Sequence, residues 1–158
     1  MTRAYLGLGA NLGDRLAQIE NAVVVLATFA EAHRVSPLYA SDAVGGPPGQ
    51  RRYLNCVMEL YTWVAPHDLL RAGLDLEEAA GRVRTERNGP RPLDVDLLLY
   101  GDERIDDGDL LQVPHPRMDE RPFVMVPLAD LAPDLVPGQV MAGAARSEGL
   151  RRVCILEL

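Results

Sequence analysis

The sequence predicts an α+β sandwich, a largely antiparallel sheet flanked by helices. Three observations carry this prediction. Alternating and helical apolar spacings succeed one another in the order strand, helix, strand, strand, helix, strand. Long Gly- and Pro-rich loops join the strands, and the helices are few, which places them on an antiparallel sheet instead of around a parallel one. With 158 residues, 47% of them hydrophobic, the chain is long and apolar enough for one domain with its own core. The order of elements is that of a ferredoxin-like fold.

The first strand runs over Arg3 to Leu8. Asn11 is placed to cap the first helix, with Asp14 three residues on, and Leu16, Ile19, Val23, Leu26 and Ala30 mark one face as far as Phe29 or Ala30. His33 to Ala40 forms a second strand. Asp42 to Arg52 contains Gly45, Gly46, Pro47, Pro48 and Gly49 and is therefore a loop, long enough to suggest a function. Tyr53 to Val64 is extended, with Trp63 at its end in a structural position. Pro66 opens a helix carrying Leu69, Leu70, Leu74 and Leu76 and reaching Ala80. Gly81 to Pro92 is a second long loop, followed by a strand to Tyr100 and a turn at Gly101-Asp102. After about Gly101 the chain elaborates the core within the same domain: a strand at Leu110 to Val113, a helix at Phe123 to Leu131 around Pro127, and a last strand at Val153 to Leu156.

The most informative stretch is Gly89-Pro90-Arg91-Pro92-Leu93-Asp94-Val95-Asp96-Leu97-Leu98-Leu99. In a strand Asp94 and Asp96 point to one face while Val95 and Leu97 point to the other. Paired carboxylates on an apolar strand are costly unless a cation neutralises them, and hard oxygen ligands favour Mg²⁺ or Mn²⁺. Arg82, Arg84, Arg87 and Arg91 lie just upstream, opposed within that stretch only by Glu86. Together they describe a site for metal-bound polyphosphate.

The net charge of −7 argues against nonspecific binding to nucleic acid or to an anionic membrane. All 16 basic residues are arginine, so a lysine-bearing phosphate loop and a lysine Schiff base are excluded. Gly7, Gly9 and Gly13 do not make a dinucleotide fingerprint, because Leu12 stands where the third glycine belongs. No apolar run reaches the roughly 20 residues of a membrane span, and the first residues lack a leader's apolar stretch, so a cytoplasmic protein is expected. Cys56 and Cys154 lack metal-ligand spacing; buried thiols are expected, with a disulfide left open.

Gly9-Ala10-Asn11-Leu12-Gly13, Tyr53-Leu54-Asn55, Gly81-Arg82-Val83-Arg84, the Gly-Pro-Arg to Asp-Val-Asp block, Val113-Pro114-His115-Pro116-Arg117-Met118 and Arg121-Pro122-Phe123 together resemble the 6-hydroxymethyl-7,8-dihydropterin pyrophosphokinase family. The resemblance spans essentially the whole chain. It implies transfer of the terminal pyrophosphate of ATP to the hydroxymethyl group of a reduced pterin, giving AMP and the pterin diphosphate used in folate synthesis. It implies two Mg²⁺ ions held by Asp94 and Asp96, with Asp96 also assisting removal of the alcohol proton. Arg82 and Arg91 would act on the transferred phosphates, and Arg84, Arg87, Arg91, His115 and Arg121 would bind ATP from and beside a loop that closes over it. Tyr53 and Phe123 would sandwich the pterin, Asn55 would meet its edge, and Ser41, Asp42 and Val44 would contact it mainly through backbone. Asp42 and Ala43 depart from the proline-containing sequence common in that family, and Asn88 replaces a frequent aromatic. A monomer is expected.

Two other classes share part of this pattern. A metabolite-binding regulatory module explains the sandwich but not four arginines beside a two-aspartate strand. A two-metal phosphohydrolase shares the acids but uses water as nucleophile.

Overall fold

The computed structural model describes residues 1–43, 46–81, 92–140 and 149–154, except the side chain of Cys154. Its main sheet is built from β1 (Thr2–Ala10), β2 (Ala32–Val35), β3 (Leu38–Ser41), β4 (Tyr53–Thr62), β5 (Asp94–Tyr100) and β8 (Arg151–Cys154). The order is β5-β1-β4-β3-β8, with β2 also paired to β4, and all the pairings are antiparallel. β6 (Ile105–Asp107) and β7 (Leu111–Val113) form a separate hairpin. The first four strand positions reproduce the ferredoxin-like order, with the second strand of that fold divided into β2 and β3. The break falls at Ser36-Pro37, where proline has no N–H for the ladder. His33 to Ala40 is therefore two strands instead of one.

Helices α1 (Arg15–Ala27) and α2 (Pro66–Ala79) cover one face of the sheet. Ile19, Ala22, Val23 and Leu26 on α1, and Leu69, Ala72, Gly73 and Leu76 on α2, lie at the i, i+3, i+4, i+7 spacing of a buried stripe. They meet Leu6, Leu8, Met58, Leu60, Val95 and Leu97 in the larger core. Gly73 sets the approach of α2 to β5, since a Cβ there would stand 2.9 Å from Val95 Cγ1. Helix α3 (Pro122–Leu131) covers the other face, where Val124, Met125 and Leu128 pack on Tyr5, Val57 and Leu98.

Several sequence expectations are corrected by tertiary contacts. Asp14, not Asn11, caps α1, accepting the Ala17 N–H at 3.1 Å. The Asn11 amide instead donates to Gln50 Oε1 and to the Arg51 carbonyl, each at 3.1 Å. Leu16 is exposed, and α1 ends at Ala27. β5 has a register shift opposite Tyr5 and Leu6, so Leu99 follows Leu98 onto the α3-side core while Tyr100 joins Leu97 under the helices. Trp63 lies beyond the end of β4 and is 73% exposed, so it packs no core. The last strand begins at Arg151, earlier than expected. Cys56 is a buried free thiol whose pKa burial pushes up to about 12.

Beneath α3 lies a buried ionic group. Glu59, fully enclosed, accepts hydrogen bonds from Tyr5 Oη at 2.6 Å and from Arg34 at 2.7 and 3.0 Å. Burial alone raises its pKa, but the bonds from Arg34 and Tyr5 outweigh it and the net shift is downward. Arg34 also donates to the Leu131 carbonyl at 3.0 Å, tying the end of α3 to the sheet.

Candidate active site

On the α3 side of the sheet, Gly9 of β1 pairs with Asp94 of β5 on one flank and Asn55 of β4 on the other. Gly7 pairs with Asp96 in the same way. Cross-strand neighbours present their side chains to one face. The alternation that buries Val95 and Leu97 under the helices therefore turns Asp94 and Asp96 toward α3. A Cβ on Gly9 would lie 3.0 Å from Asn55 Oδ1 and 3.7 Å from Tyr53 Cδ1. Glycine in the middle of the row leaves a trough between carboxylate and amide.

That trough is the floor of a cleft of about 290 Å³ lined by Asn55, Tyr53, Phe123, Ser41, Asp94 and Asp96. Asn55 is buried, and its Nδ2 donates to Ser41 Oγ at 2.7 Å. Pro122 starts α3, whose next residue, Phe123, faces the same space as Tyr53 at the start of β4. Two half-buried rings and one buried amide suit a flat heterocycle with polar edges. Asp42 stands on the rim, paired with Arg52 at 3.1 Å.

A second cleft, of about 590 Å³, shares Asp94, Asp96 and Arg121 with the first. Its walls include apolar Leu70, Leu74 and Leu111 together with Glu77 and His115. Arg121 Nη1 is 3.8 Å from Asp96 Oδ2, and its guanidinium stands 5.9 Å from the centre of the Phe123 ring. His115 is fixed by its backbone N–H, which donates to the Leu98 carbonyl at 2.9 Å. Its Nδ1 accepts the Arg117 N–H at 3.3 Å, leaving Nε2 as the protonated nitrogen of the neutral ring, 4.0 Å from Asp96 Oδ1. Burial, and then the Arg121 charge, hold its pKa below the ordinary value, against the opposing pull of Asp94.

Among the described residues no three metal-binding side chains cluster. The donor set at Asp94 and Asp96 is two oxygen-bearing side chains open to two clefts, which fits Mg²⁺ completed by ligand phosphates and water better than a metal caged by protein alone.

Residues 5–133 match the family described as 7,8-dihydro-6-hydroxymethylpterin-pyrophosphokinase. The chain belongs to this family. It is 47% identical over 135 residues to the 2-amino-4-hydroxy-6-hydroxymethyldihydropteridine pyrophosphokinase of Pseudomonas aeruginosa, covering 84% of this chain and 82% of that one. The identically named protein of Bacillus subtilis is 39% identical over 150 residues, covering 94% and 88%. Among solved structures, the Plasmodium falciparum HPPK-DHPS superposes with a TM-score of 0.65 at 13% identity, covering 96% of this chain and 47% of that one. This chain thus spans about half of that longer protein, and the likeness supports the fold.

In this pyrophosphokinase family member, the two clefts bring together Asp94, Asp96, His115, Arg121, Tyr53, Asn55, Phe123, Ser41 and Asp42. Arg82, Arg84, Arg87, Arg91 and Val44 lie outside the described residues. Sequence reasoning missed Glu77, which on an acidic helix reads as a solvated charge. It is buried, and its Oε1 accepts the Val95 N–H at 2.8 Å, bracing the strand between the two aspartates. Leu150, which lines the first cleft, and Arg52, which pairs with Asp42 on its rim, were also missed.

Proposed function

We propose that this chain transfers the terminal diphosphate of ATP to the hydroxymethyl oxygen of 6-hydroxymethyl-7,8-dihydropterin, forming AMP and the pterin diphosphate of folate synthesis. Family membership supports the reaction. The observation that carries the proposed site is the meeting of two clefts at Asp94, Asp96 and Arg121. The pterin lies between Tyr53 and Phe123 with its edge on Asn55, and Ser41, Asp42 and Val44 complete its surroundings. ATP occupies the second cleft, its base against the leucines and its phosphates toward His115 and Arg121.

Attack by a primary alcohol on phosphorus depends on alignment and charge neutralisation more than on covalent help. Asp94 and Asp96 would hold two Mg²⁺ ions, which when bound neutralise the phosphates and favour ionisation of the attacking alcohol. The pterin oxygen forms its bond to the β-phosphorus as the bond from that phosphorus to the α-phosphate oxygen breaks. AMP leaves, and Asp96 accepts the alcohol proton. Arg121 and the His115 Nε2–H donate to phosphate oxygens as charge moves between them. Arg82, Arg84, Arg87 and Arg91 suit bidentate contacts to the same polyphosphate. Among the described residues no helix is long and apolar enough to cross a membrane. A monomer acting in the cytoplasm completes the proposal.

Incubation with ATP, Mg²⁺ and the reduced pterin tests it. AMP and pterin diphosphate in equal amounts support the reading. Pterin-independent release of phosphate indicates a hydrolase, and binding without turnover indicates a regulatory module.

A further inference from the structure

Arg52, immediately before β4, joins three segments that wall the first cleft. Its Nε, shielded from solvent, faces Asp42 Oδ1 at 3.1 Å as an ion pair without aligned hydrogen-bond geometry. Its Nη2 donates to the Gly149 carbonyl, 97 positions away in sequence. Its own carbonyl accepts from Arg15 Nη1 at 2.8 Å, and the neighbouring Arg51 carbonyl accepts from Asn11. The backbone that carries the guanidinium is therefore anchored by the turn leading into α1. Gly149 adopts φ +83°, a conformation few other residues tolerate, and passes the chain to Leu150 and then to β8. β8 lies against β3 through Ala40 and Tyr39, one and two residues before Ser41. Leu150 is half-buried and lines the cleft together with Ser41, Asp42, Ala43 and Tyr53.

We propose that Leu150 is an apolar wall of the heterocycle subsite, and that Arg52 is a positioning residue that holds it there through Asp42 and the Gly149 carbonyl. The inference rests on the pterin assignment above. An isolated surface ion pair contributes little. Here one guanidinium spans two chain segments, and its planar fork reaches a carboxylate and a carbonyl together, which a lysine ammonium cannot do from one position. Asp42 supplies the carboxylate and Gly149 the carbonyl that this fork meets.

The test measures the affinity of 6-hydroxymethyl-7,8-dihydropterin for the full chain loaded with Mg²⁺ and a nonhydrolysable ATP analogue, alongside kcat and KM. Leu150→Ala and Arg52→Ala should each weaken pterin binding about fivefold to tenfold through lost apolar contact. Analogue affinity should stay unchanged in both, and in Arg52→Ala the loss should fall on KM for the pterin and not on kcat. Because Arg52 acts through Leu150, the double variant should bind no more weakly than the weaker single variant. Should Arg52→Ala fail to fold, Arg52→Lys, which keeps the charge but cannot reach both partners, must show the same pterin-specific loss. Wild-type pterin affinity in Leu150→Ala, multiplying effects in the double variant, or equal losses for the ATP analogue would overturn the inference. Wild-type protein that neither binds nor turns over the pterin would instead overturn the functional reading.

Discussion

Asn55 and Asp94 stand on one cross-strand row with Gly9 between them. Two strand spacings separate them, about 9 to 10 Å, and no side chain rises from the strand in the middle. The positions of the amide at one end of the trough and the carboxylate at the other are thereby set by backbone pairing. The same ladder places Asp96 beside Gly7.

The glycine is the cheapest place to perturb this arrangement. In Gly9→Ala the new methyl would press on Asn55 Oδ1 at 3.0 Å. Pterin affinity should fall about tenfold, equivalent to about 1.4 kcal/mol, while the affinity for ATP with Mg²⁺ is retained. Calorimetry with each ligand separately checks this, and an unchanged pterin affinity would show that Asn55 does not meet the ring.

Asp94→Asn and Asp96→Asn keep side-chain size but remove the charge that would hold the proposed cations. Turnover should fall by several orders of magnitude in each, with pterin binding through Tyr53 and Asn55 largely preserved. Single-turnover kinetics with excess enzyme separates the chemical step from binding. Near-native rates in either variant would remove the two-metal assignment.

Phe123→Ala should weaken pterin binding by about 1 to 3 kcal/mol through lost burial and stacking. ATP binding alone should change little, although Arg121 lies over the same ring. Equal losses for the two ligands in calorimetry would place Phe123 in the general core.

The Asp94 and Asp96 pair was legible because strand alternation is local: a two-residue period fixes a shared face whatever the rest of the chain does. Tyr53 and Asn55 were legible only through the resemblance of their motif to the family, since a ring and an amide on a strand otherwise read as packing. Asn11 misled because an Asn before a helix is locally a good cap, while its amide finds Gln50 and Arg51 some forty residues away. Glu77 was hidden by the same kind of effect, since only the close approach of α2 at Gly73 carries that carboxylate under β5. The bulge near Leu98 and the short β6 with its aspartates leave no periodic trace in sequence. The latch at Arg52 depends on a segment almost a hundred residues distant.

Acid should loosen the fold at Glu59. Its folded pKa lies below the ordinary 4.5, so its ionised form stabilises the protein above that value. That contribution is lost as pH falls through 4.5 and then through the folded value. Glu59→Gln should lower Tm most at neutral pH, with the gap to wild type closing in acid. Arg34→Ala should cost about 2 to 3 kcal/mol at neutral pH, less than a fully enclosed pair because Arg34 is half-exposed. Thermal melts across the acid range check both, and a gap independent of pH would mean that Glu59 does not titrate with folding.

Following labelled ATP through one turnover in the presence of Mg²⁺ and 6-hydroxymethyl-7,8-dihydropterin decides whether the two clefts joined at Asp94 and Asp96 support transfer of a whole diphosphate. Label placed at the β- and γ-phosphates should both appear on the pterin, with α-label confined to AMP and one AMP formed per pterin diphosphate. ADP accompanied by a pterin monophosphate, or label released as free phosphate whether or not pterin is present, would contradict it.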